Sequence, residues 1–269
     1  LQVLDLAGIP LRTRDRKKGD TLVIGGGPCS YNPEPIADFF DIFYMGEGEV
    51  SYDALLELYK VYKHSDMTRE EFLIKVSNIP GLYVPELYEV TYKEDGTIAS
   101  FAPRFEDVPA TITKTVVMDH SKVTYPEKPV VSFMKLTQDR VVLEIMRGCI
   151  RGCRFCQAGM IYRPTRPKDV NLLKGYAEKM LASTGHEEIT FSSLSSSDYE
   201  ELPELTDCLI EKMDNEHVNI SLPSLRIDAF SLDVMSKIQD VKKSSLTFAP
   251  EAGTQRLRNV INKGLTKEN

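Results

Sequence analysis

The chain has 269 residues, 42% of them hydrophobic and 27% charged, with a formal net charge of −7. That length suits one large or two ordinary domains, and the negative balance does not indicate nucleic acid as a partner. No apolar run reaches the ~20 residues of a membrane helix and no secretory signal is visible, while five cysteines, three of them clustered, point to a reducing, cytoplasmic setting rather than a disulfide scaffold.

Leu1–Ala7 is short and apolar and stops at Gly8. Arg12, Arg14, Arg16, Lys17 and Lys18 form a basic run, of the kind that usually lies in a solvated loop. Thr21–Ile24 reads as a buried strand running into Gly25, Gly26, Gly27 and Pro28. Pro35–Phe40 suits a short helix with proline near its start. Asp41–Met45 is a second strand running into Gly46, Glu47, Gly48 and Glu49. The helix that follows, through Tyr62, sets Val50, Leu55, Leu58, Tyr59 and Tyr62 largely on one face. Strand, glycine loop and helix in series predict an α/β layer with a parallel sheet, whose ligands bind beyond the carboxyl ends of the strands. Taken alone, the triple glycine is not a GxGxxG motif and a plain tight turn fits it as well.

Thr68 and Glu71 make a capping box that opens a helix through Val76, and Pro80-Gly81 ends it. Beyond residue 82 the character changes: Tyr83, Val84, Tyr88, Val90 and Tyr92 approach strand alternation, and Glu94-Asp95-Gly96 is a hairpin turn signal. His120, in a proline-punctuated stretch, reads as a surface or hydrogen-bonded histidine rather than a ligand. Val141–Met146 is a buried strand leading into Cys149, Cys153 and Cys156, a CxxxCxxC pattern folded among Gly148, Gly152 and Gly159. Soft thiolates select zinc, Cu(I) or an iron–sulfur cluster. Structural zinc wants four ligands, usually as two close pairs; here there are three close cysteines and no fourth ligand nearby, a set that would leave one iron of a four-iron cluster open. Structural thiols or a zinc loop are the plain alternative. Arg147, Arg151, Arg154, Arg163 and Arg166 surround the loop and would raise the potential of an anionic cluster, a solvated basic face being the alternative for any single one of them. Cys29 reads as a loop thiol and Cys208 as core packing.

Pro167 and Asp169 open a helix carrying Val170, Leu173, Tyr176, Ala177, Met180 and Leu181, closed by Gly185. Further strands are expected at Glu188–Phe191, Val218–Leu222 and Ser245–Phe248, each followed by a helix: to about Met213, over Leu232–Ile238, and from the Thr254 cap to about Ile261. These strand–helix units predict part of a β/α barrel, with functional groups collecting at the carboxyl strand ends.

The strand, the CxxxCxxC spacing and the aromatic Phe155 before the third cysteine together resemble the radical S-adenosylmethionine (SAM) superfamily. The resemblance implies a partial (β/α) barrel, truncated here, with a 4Fe–4S cluster on Cys149, Cys153 and Cys156 and with SAM chelating the fourth iron. It implies reductive cleavage of SAM to methionine and a 5′-deoxyadenosyl radical. It sets Phe155 near adenine, and it puts the Ser192–Ser197 run where many members carry a Gly-Gly-Glu stretch holding the SAM amino group. This chain departs from that pattern; hydroxyls can accept from an ammonium, which makes Ser193 and Ser195 candidates. Arg226 is the candidate for the SAM carboxylate and Glu251 for the ribose hydroxyls or the amine. A polar loop for the serines, and structural ion pairs for Arg226 and Glu251, are the alternatives. The stretch from Ile24 to Glu49 resembles the last part of the Rossmann-like, doubly wound cobalamin-binding domain that precedes many radical SAM cores. There the glycine loops lie near the cobalamin nucleotide tail, which makes Gly26, Gly27, Gly46 and Glu47 candidates.

The expected organisation is therefore α/β throughout: residues 1–65 as the end of a cobalamin-binding-like domain, 66–139 as a connecting segment with some β structure, and 140–269 as the first part of a radical SAM core. Both ends look cut, so a fragment of a longer protein is expected. The expected cofactors are the 4Fe–4S cluster and SAM, with cobalamin added by the second resemblance; where cobalamin is bound, methyl transfer is the expected reaction. The expected partner is an electron donor such as flavodoxin or ferredoxin. A methylthiotransferase-like or other radical SAM enzyme acting on RNA or protein without cobalamin, and a non-catalytic metal-binding module, are the competing readings. No catalytic side chain beyond the cluster ligands is assigned, and the residues do not name a substrate.

Overall fold

In the computed structural model, which describes residues 1–269 except 124, 214–217, 230–231, 242–247, 267 and 269, the chain divides into two units, Leu1–Met118 and Asp119–Asn269. The first unit opens with a short exposed helix, α1 (Gln2–Leu6). Strand β1 (Ile24–Gly25) runs parallel to β2 (Ile42–Tyr44), as the alternation of strands and glycine loops predicts. Helix α2 (Tyr52–Lys63) buries Leu55 and Tyr62, and α3 (Arg69–Ser77) begins at a complete capping box between Thr68 and Glu71. Strand β3 (Leu82–Tyr83) joins β2 antiparallel, so the small sheet is mixed. A hairpin of β4 (Tyr88–Tyr92) and β5 (Ile98–Pro103) turns at the expected Glu94–Gly96 position. Residues 66–118, the first part of the segment read from the sequence as connecting, supply Phe72, Leu73, Val76, Leu82, Leu87 and Val108 to the same core as Ile42, Phe43 and Leu55. Tyr62 and Phe72 stack at its centre with ring centroids 4.2 Å apart.

The basic run corrects one expectation. Arg16 is not solvated: its side chain and that of Asp41 are both 0% exposed, and they are paired at 2.9 Å. The remaining Arg16 donors go to the backbone carbonyls of Pro10, Leu11 and Phe39. Asp41 also accepts from Arg69 at 2.5 Å and from the Val23 N–H at 2.6 Å. Val23 O in turn accepts from the Asp41 N–H. The physical reason is geometric. Asp41 enters the core at the start of β2, and a buried carboxylate must be neutralised and fully hydrogen-bonded. A guanidinium from the preceding loop does this, with each of its three nitrogens hydrogen-bonded inside the protein. Val23 is thereby tied to Asp41 through both its N–H and its carbonyl just before β1 begins.

The second unit holds the three clustered cysteines. Its sheet has three parallel strands in the order β10-β9-β6: β6 (Val141–Glu144), β9 (Glu188–Ser192) and β10 (Asn219–Ser221). Between β6 and β9 lie an antiparallel pair, β7 (Met146–Arg147) with β8 (Arg166–Pro167), and two helices, α4 (Ala158–Ile161) and α5 (Val170–Thr184). Helix α5 starts where Asp169 accepts from the Asn171 and Leu172 N–H groups and stops at Gly185 in the left-handed region. Its buried face is Val170, Leu173, Ala177, Met180 and Leu181, the stripe set by its spacing. Helix α6 (Leu202–Met213) follows β9, α7 (Leu232–Val241) follows β10, and α8 (Gln255–Val260) starts at the Thr254 cap. Of the fourth expected strand, residues 245–247 lie outside the described residues. Phe191, Leu143, Ile145, Ile189 and Leu205 sit at the centre of this second core. No described helix is long and apolar enough to cross a membrane.

Replacing Asp41 by Asn leaves a buried guanidinium without a counter-charge, and loss of one partner from such a pair costs about 3–5 kcal/mol. Chemical denaturation should place the first unit's stability lower by that amount in D41N, with hydrogen exchange fastest at Val23 and Ile42. An unchanged midpoint would show that the pair contributes nothing net.

Candidate iron–sulfur and SAM site

Strand β6 ends at Glu144, and the chain crosses to β7 before the cysteine loop begins at Gly148. Gly148 has φ +84°, and a Cβ built there would lie 2.7 Å from Pro164 O and 2.8 Å from Tyr162 O. Only glycine allows that turn. The loop itself has no strand or helix, so its backbone groups need partners elsewhere. They find them after α8: the Arg154 N–H donates to Ile261 O at 2.9 Å, the Asn262 side-chain amide donates to Gly152 O at 2.9 Å, and the Arg154 guanidinium reaches Val260 O. Asn262 itself has φ +55°, a region asparagine tolerates better than most residues. Cys149, Cys153 and Cys156 are free and half-buried, and the Cys156 N–H closes a turn onto Cys153 O.

Charged groups from two strand ends meet the loop. Asp198, beyond β9, and Asp228, beyond β10, both pair with Arg151 of the loop. Burial alone would raise the Asp198 carboxyl, but hydrogen bonding to Arg151 and Ser195 and the charges of Arg151 and Arg226 together hold it below the ordinary aspartate value. Asp228 also holds Arg226 through a two-pronged pair, Nε to Oδ1 and Nη2 to Oδ2, each 2.9 Å. Arg226 Nη2 reaches Lys263 O at 2.7 Å, and Nη1 lies 3.9 Å from Cys153 Sγ.

The sequence-derived candidates fall as follows. Phe155 is 55% exposed, and the Lys263 ammonium lies 6.0 Å from its ring centroid. Glu251, at φ +66°, accepts from that same ammonium at 3.2 Å. Lys263 thus joins Phe155, Glu251 and Arg226 beside Cys153. Ser193 is half-exposed and shares a hydrogen bond with Ser196, which donates to Pro223 O. Ser195 is 1% exposed and sits inside the fold. Ser197 accepts from the Arg226 N–H. The sequence reading missed Lys263, Asn262, Asp198 and Asp228. The signal for Asn262 was an asparagine just past a helix end, where a left-handed residue is common.

In the first unit, Gly26, Gly27, Gly46 and Glu47 follow the carboxyl ends of the paired parallel strands β1 and β2. Gly27 has φ +84° and open space around it, and a side chain at Gly26 would meet only Tyr44 Cβ, at 3.9 Å. Gly46 and Glu47 are engaged within the chain. A Cβ at Gly46 would collide with the Thr115 backbone, and Glu47 accepts from the Val117 N–H at 2.6 Å.

Two family models match the chain. One, described as radical SAM proteins, N-terminal, matches residues 1–85; the other, described as the radical SAM superfamily, matches residues 143–269. The chain belongs to the radical SAM superfamily. The uncharacterized protein MJ0966 of Methanocaldococcus jannaschii is 31% identical over 255 residues, covering 94% of this chain and 48% of its own, so the chain spans about half the length of that relative. Among solved structures, OxsB, a cobalamin-dependent SAM radical enzyme with aqua-cobalamin and SAM bound, superposes with a TM-score of 0.57 at 15% identity, over 93% of this chain and 34% of its own. Its apo form superposes with a TM-score of 0.55 at 16% identity, over 92% and 33%. At that identity the likeness is one of fold.

The donor set of this radical SAM chain fits a cluster. Among the described residues, no three His, Cys, Asp or Glu side chains converge on a point that could hold one metal ion. A cubane cluster asks instead for a separate thiolate on each of three irons, and three half-buried thiols along one clamped loop supply that.

His120, expected at the surface or hydrogen-bonded, is buried, and its Nε2 finds no hydrogen-bond partner in the protein. Burial first, then the charges of Arg147, Lys168 and Arg166, push its pKa down from 6.5; Glu144 opposes them. The unfolded chain therefore takes up this proton at higher pH than the folded one, and stability falls as pH drops below about 6.5. Denaturation midpoints at about pH 7.5 and about 5.5 should differ more in the wild type than in His120→Gln; equal differences would remove His120 from the account.

Proposed function

We propose that this chain is the cluster-bearing part of an enzyme that cleaves SAM reductively at a 4Fe–4S cluster on Cys149, Cys153 and Cys156. The observation that carries the reading is the clamped thiol loop at the carboxyl end of β6, facing arginine and carboxylate groups from the ends of β9 and β10. A cluster held by Cys149, Cys153 and Cys156 would supply the single electron for reductive cleavage of a carbon–sulfur bond of SAM to methionine and a 5′-deoxyadenosyl radical. Phe155 offers a flat face to adenine, Ser193 a hydroxyl to the SAM amino group, and Glu251 an acceptor for ribose or amine protons. Ser195 would need local opening to take part. The electron is supplied by a flavodoxin- or ferredoxin-type donor, and the setting is cytoplasmic. The zinc reading is weaker, because structural zinc usually takes four ligands as two close pairs and the loop supplies three thiols. After anaerobic reconstitution the protein should carry about four irons and four sulfides. Alanine at Cys149, Cys153 or Cys156 should abolish the cluster and alanine at Cys29 or Cys208 should not; zinc in place of iron would overturn the reading.

Cobalamin-dependent methyl transfer is the proposed reaction class. It rests on the open Gly26–Gly27 turn at the ends of two parallel strands and on a fold shared with OxsB across both units. Gly46 and Glu47 act here by shaping the neighbouring loop. A Cβ at Gly26 would meet only Tyr44 Cβ, at 3.9 Å, and Gly26→Phe should leave cluster assembly intact while abolishing the corrin absorbance of protein loaded with cobalamin. Wild-type protein that takes up no cobalamin would overturn the methyl-transfer reading in favour of a methylthiotransferase-like or other radical SAM enzyme working without cobalamin.

A further inference from the structure

The sequence pattern pairs Arg226 with the SAM carboxylate. Its bonds point elsewhere. A carboxylate is best held by a guanidinium fork, two parallel N–H groups on one edge. In Arg226 the Nε/Nη2 edge is already filled by Asp228, and the second Nη2 hydrogen goes to Lys263 O. Three of its five N–H groups are thus committed inside the protein. Asp228 is fixed in turn by Arg151, and the Arg226 N–H is held by Ser197 Oγ. What remains is Nη1, whose nearest acceptor is Cys153 Sγ at 3.9 Å. The side chain is 10% exposed, so its charge acts with little screening by water.

We infer that Arg226 is a positioning and potential-setting residue: it donates to the thiolate of Cys153 and so stabilises the reduced cluster relative to the oxidised one. This rests on the cluster reading above. Each electron added makes the cluster more negative, and a fixed cation with an N–H aimed at a ligand sulfur stabilises the more negative state more strongly. No group is transferred; the contact shifts only where the one-electron equilibrium lies. Lysine cannot hold the same arrangement, because a single ammonium cannot keep the fork on Asp228 and reach Cys153 together.

The test is a redox titration of the reconstituted protein followed by electron paramagnetic resonance, with iron and sulfide content, circular dichroism and equilibrium SAM binding measured alongside. A charge-assisted hydrogen bond is worth enough to predict that, at fixed potential, the reduced-to-oxidised ratio falls about tenfold in R226Q, or about 59 mV for one electron. Cluster content should stay at the wild-type level, SAM affinity should remain within about twofold, and R226K should fall between the two. An unchanged potential with weakened SAM binding would overturn the inference in favour of the carboxylate role. If R226Q assembles no cluster, R226K carries the same titration; folded protein without cluster in both variants would also overturn it, because a potential-setting contact is not needed for assembly. Wild-type protein that assembles no cluster would instead overturn the function proposed above.

Discussion

A loop without regular structure must place three thiols accurately, and its backbone must be satisfied from outside. That constraint governs the second unit. The partners of Gly152 O and the Arg154 N–H come from Asn262 and Ile261, the former 110 residues further along the chain. The contacts are few, but they act on a segment whose own turns, at Gly148 and between Cys153 and Cys156, already limit its freedom. The clamp in turn depends on α8, started by the Thr254 hydroxyl and ended before the left-handed Asn262. An N-cap and a left-handed residue at the far end of the chain therefore bear on where the cysteines stand.

The charge pattern around the loop follows from the same geometry. Arg151 and Arg226 bring two positive charges, Asp198 and Asp228 two negative, and all four side chains are at least largely withdrawn from water. Ion pairs so placed add little net stability, because desolvation cancels most of the attraction. They do fix direction. Each guanidinium is held on more than one side: all three Arg151 nitrogens are engaged by Asp198 and Asp228, and in Arg226 the one left over, Nη1, points where the scaffold aims it. The Arg16–Asp41–Arg69 group in the first unit uses the same chemistry to a different end. There all three Arg16 nitrogens bond within the protein, and what is gained is a fixed start for β2.

These two charge groups also mark where the sequence was legible. The cysteine spacing, the capped and periodic α5, the Thr68 capping box and the parallel pairing of β1 with β2 are local patterns, decided by residues within a few positions of one another, and they read directly. The ion pairs are decided by residues tens of positions apart. Nothing in the run Arg12 to Lys18 distinguishes Arg16, whose partner lies 25 residues on. Nothing in the serine run shows that Ser195 faces inward while Ser193 does not, because the loop leaves strand alternation after Ser192. Lys263 was invisible for a similar reason: its importance comes from standing between Glu251, Phe155 and Arg226, which only the folded backbone assembles.

The glycines separate in the same way, by what surrounds them. At Gly25 the rings of Phe43 and Phe40 fill the space a side chain would need, at Gly46 the Thr115 backbone does, and at Gly148 the backbone around Pro164 does. Close packing within the protein explains these three, so their presence is not evidence for a ligand. Gly26 and Gly27 differ: nothing in the unit crowds them, and they follow β1 on the side where open α/β sheets take their ligands. A positive φ at Gly27 still admits a simple turn. The neighbouring Gly26 carries no such demand, and a Cβ there would meet nothing closer than Tyr44 Cβ, at 3.9 Å. Of the glycines in the two loops, it is therefore the one for which a ligand approaching the backbone is the better physical reason.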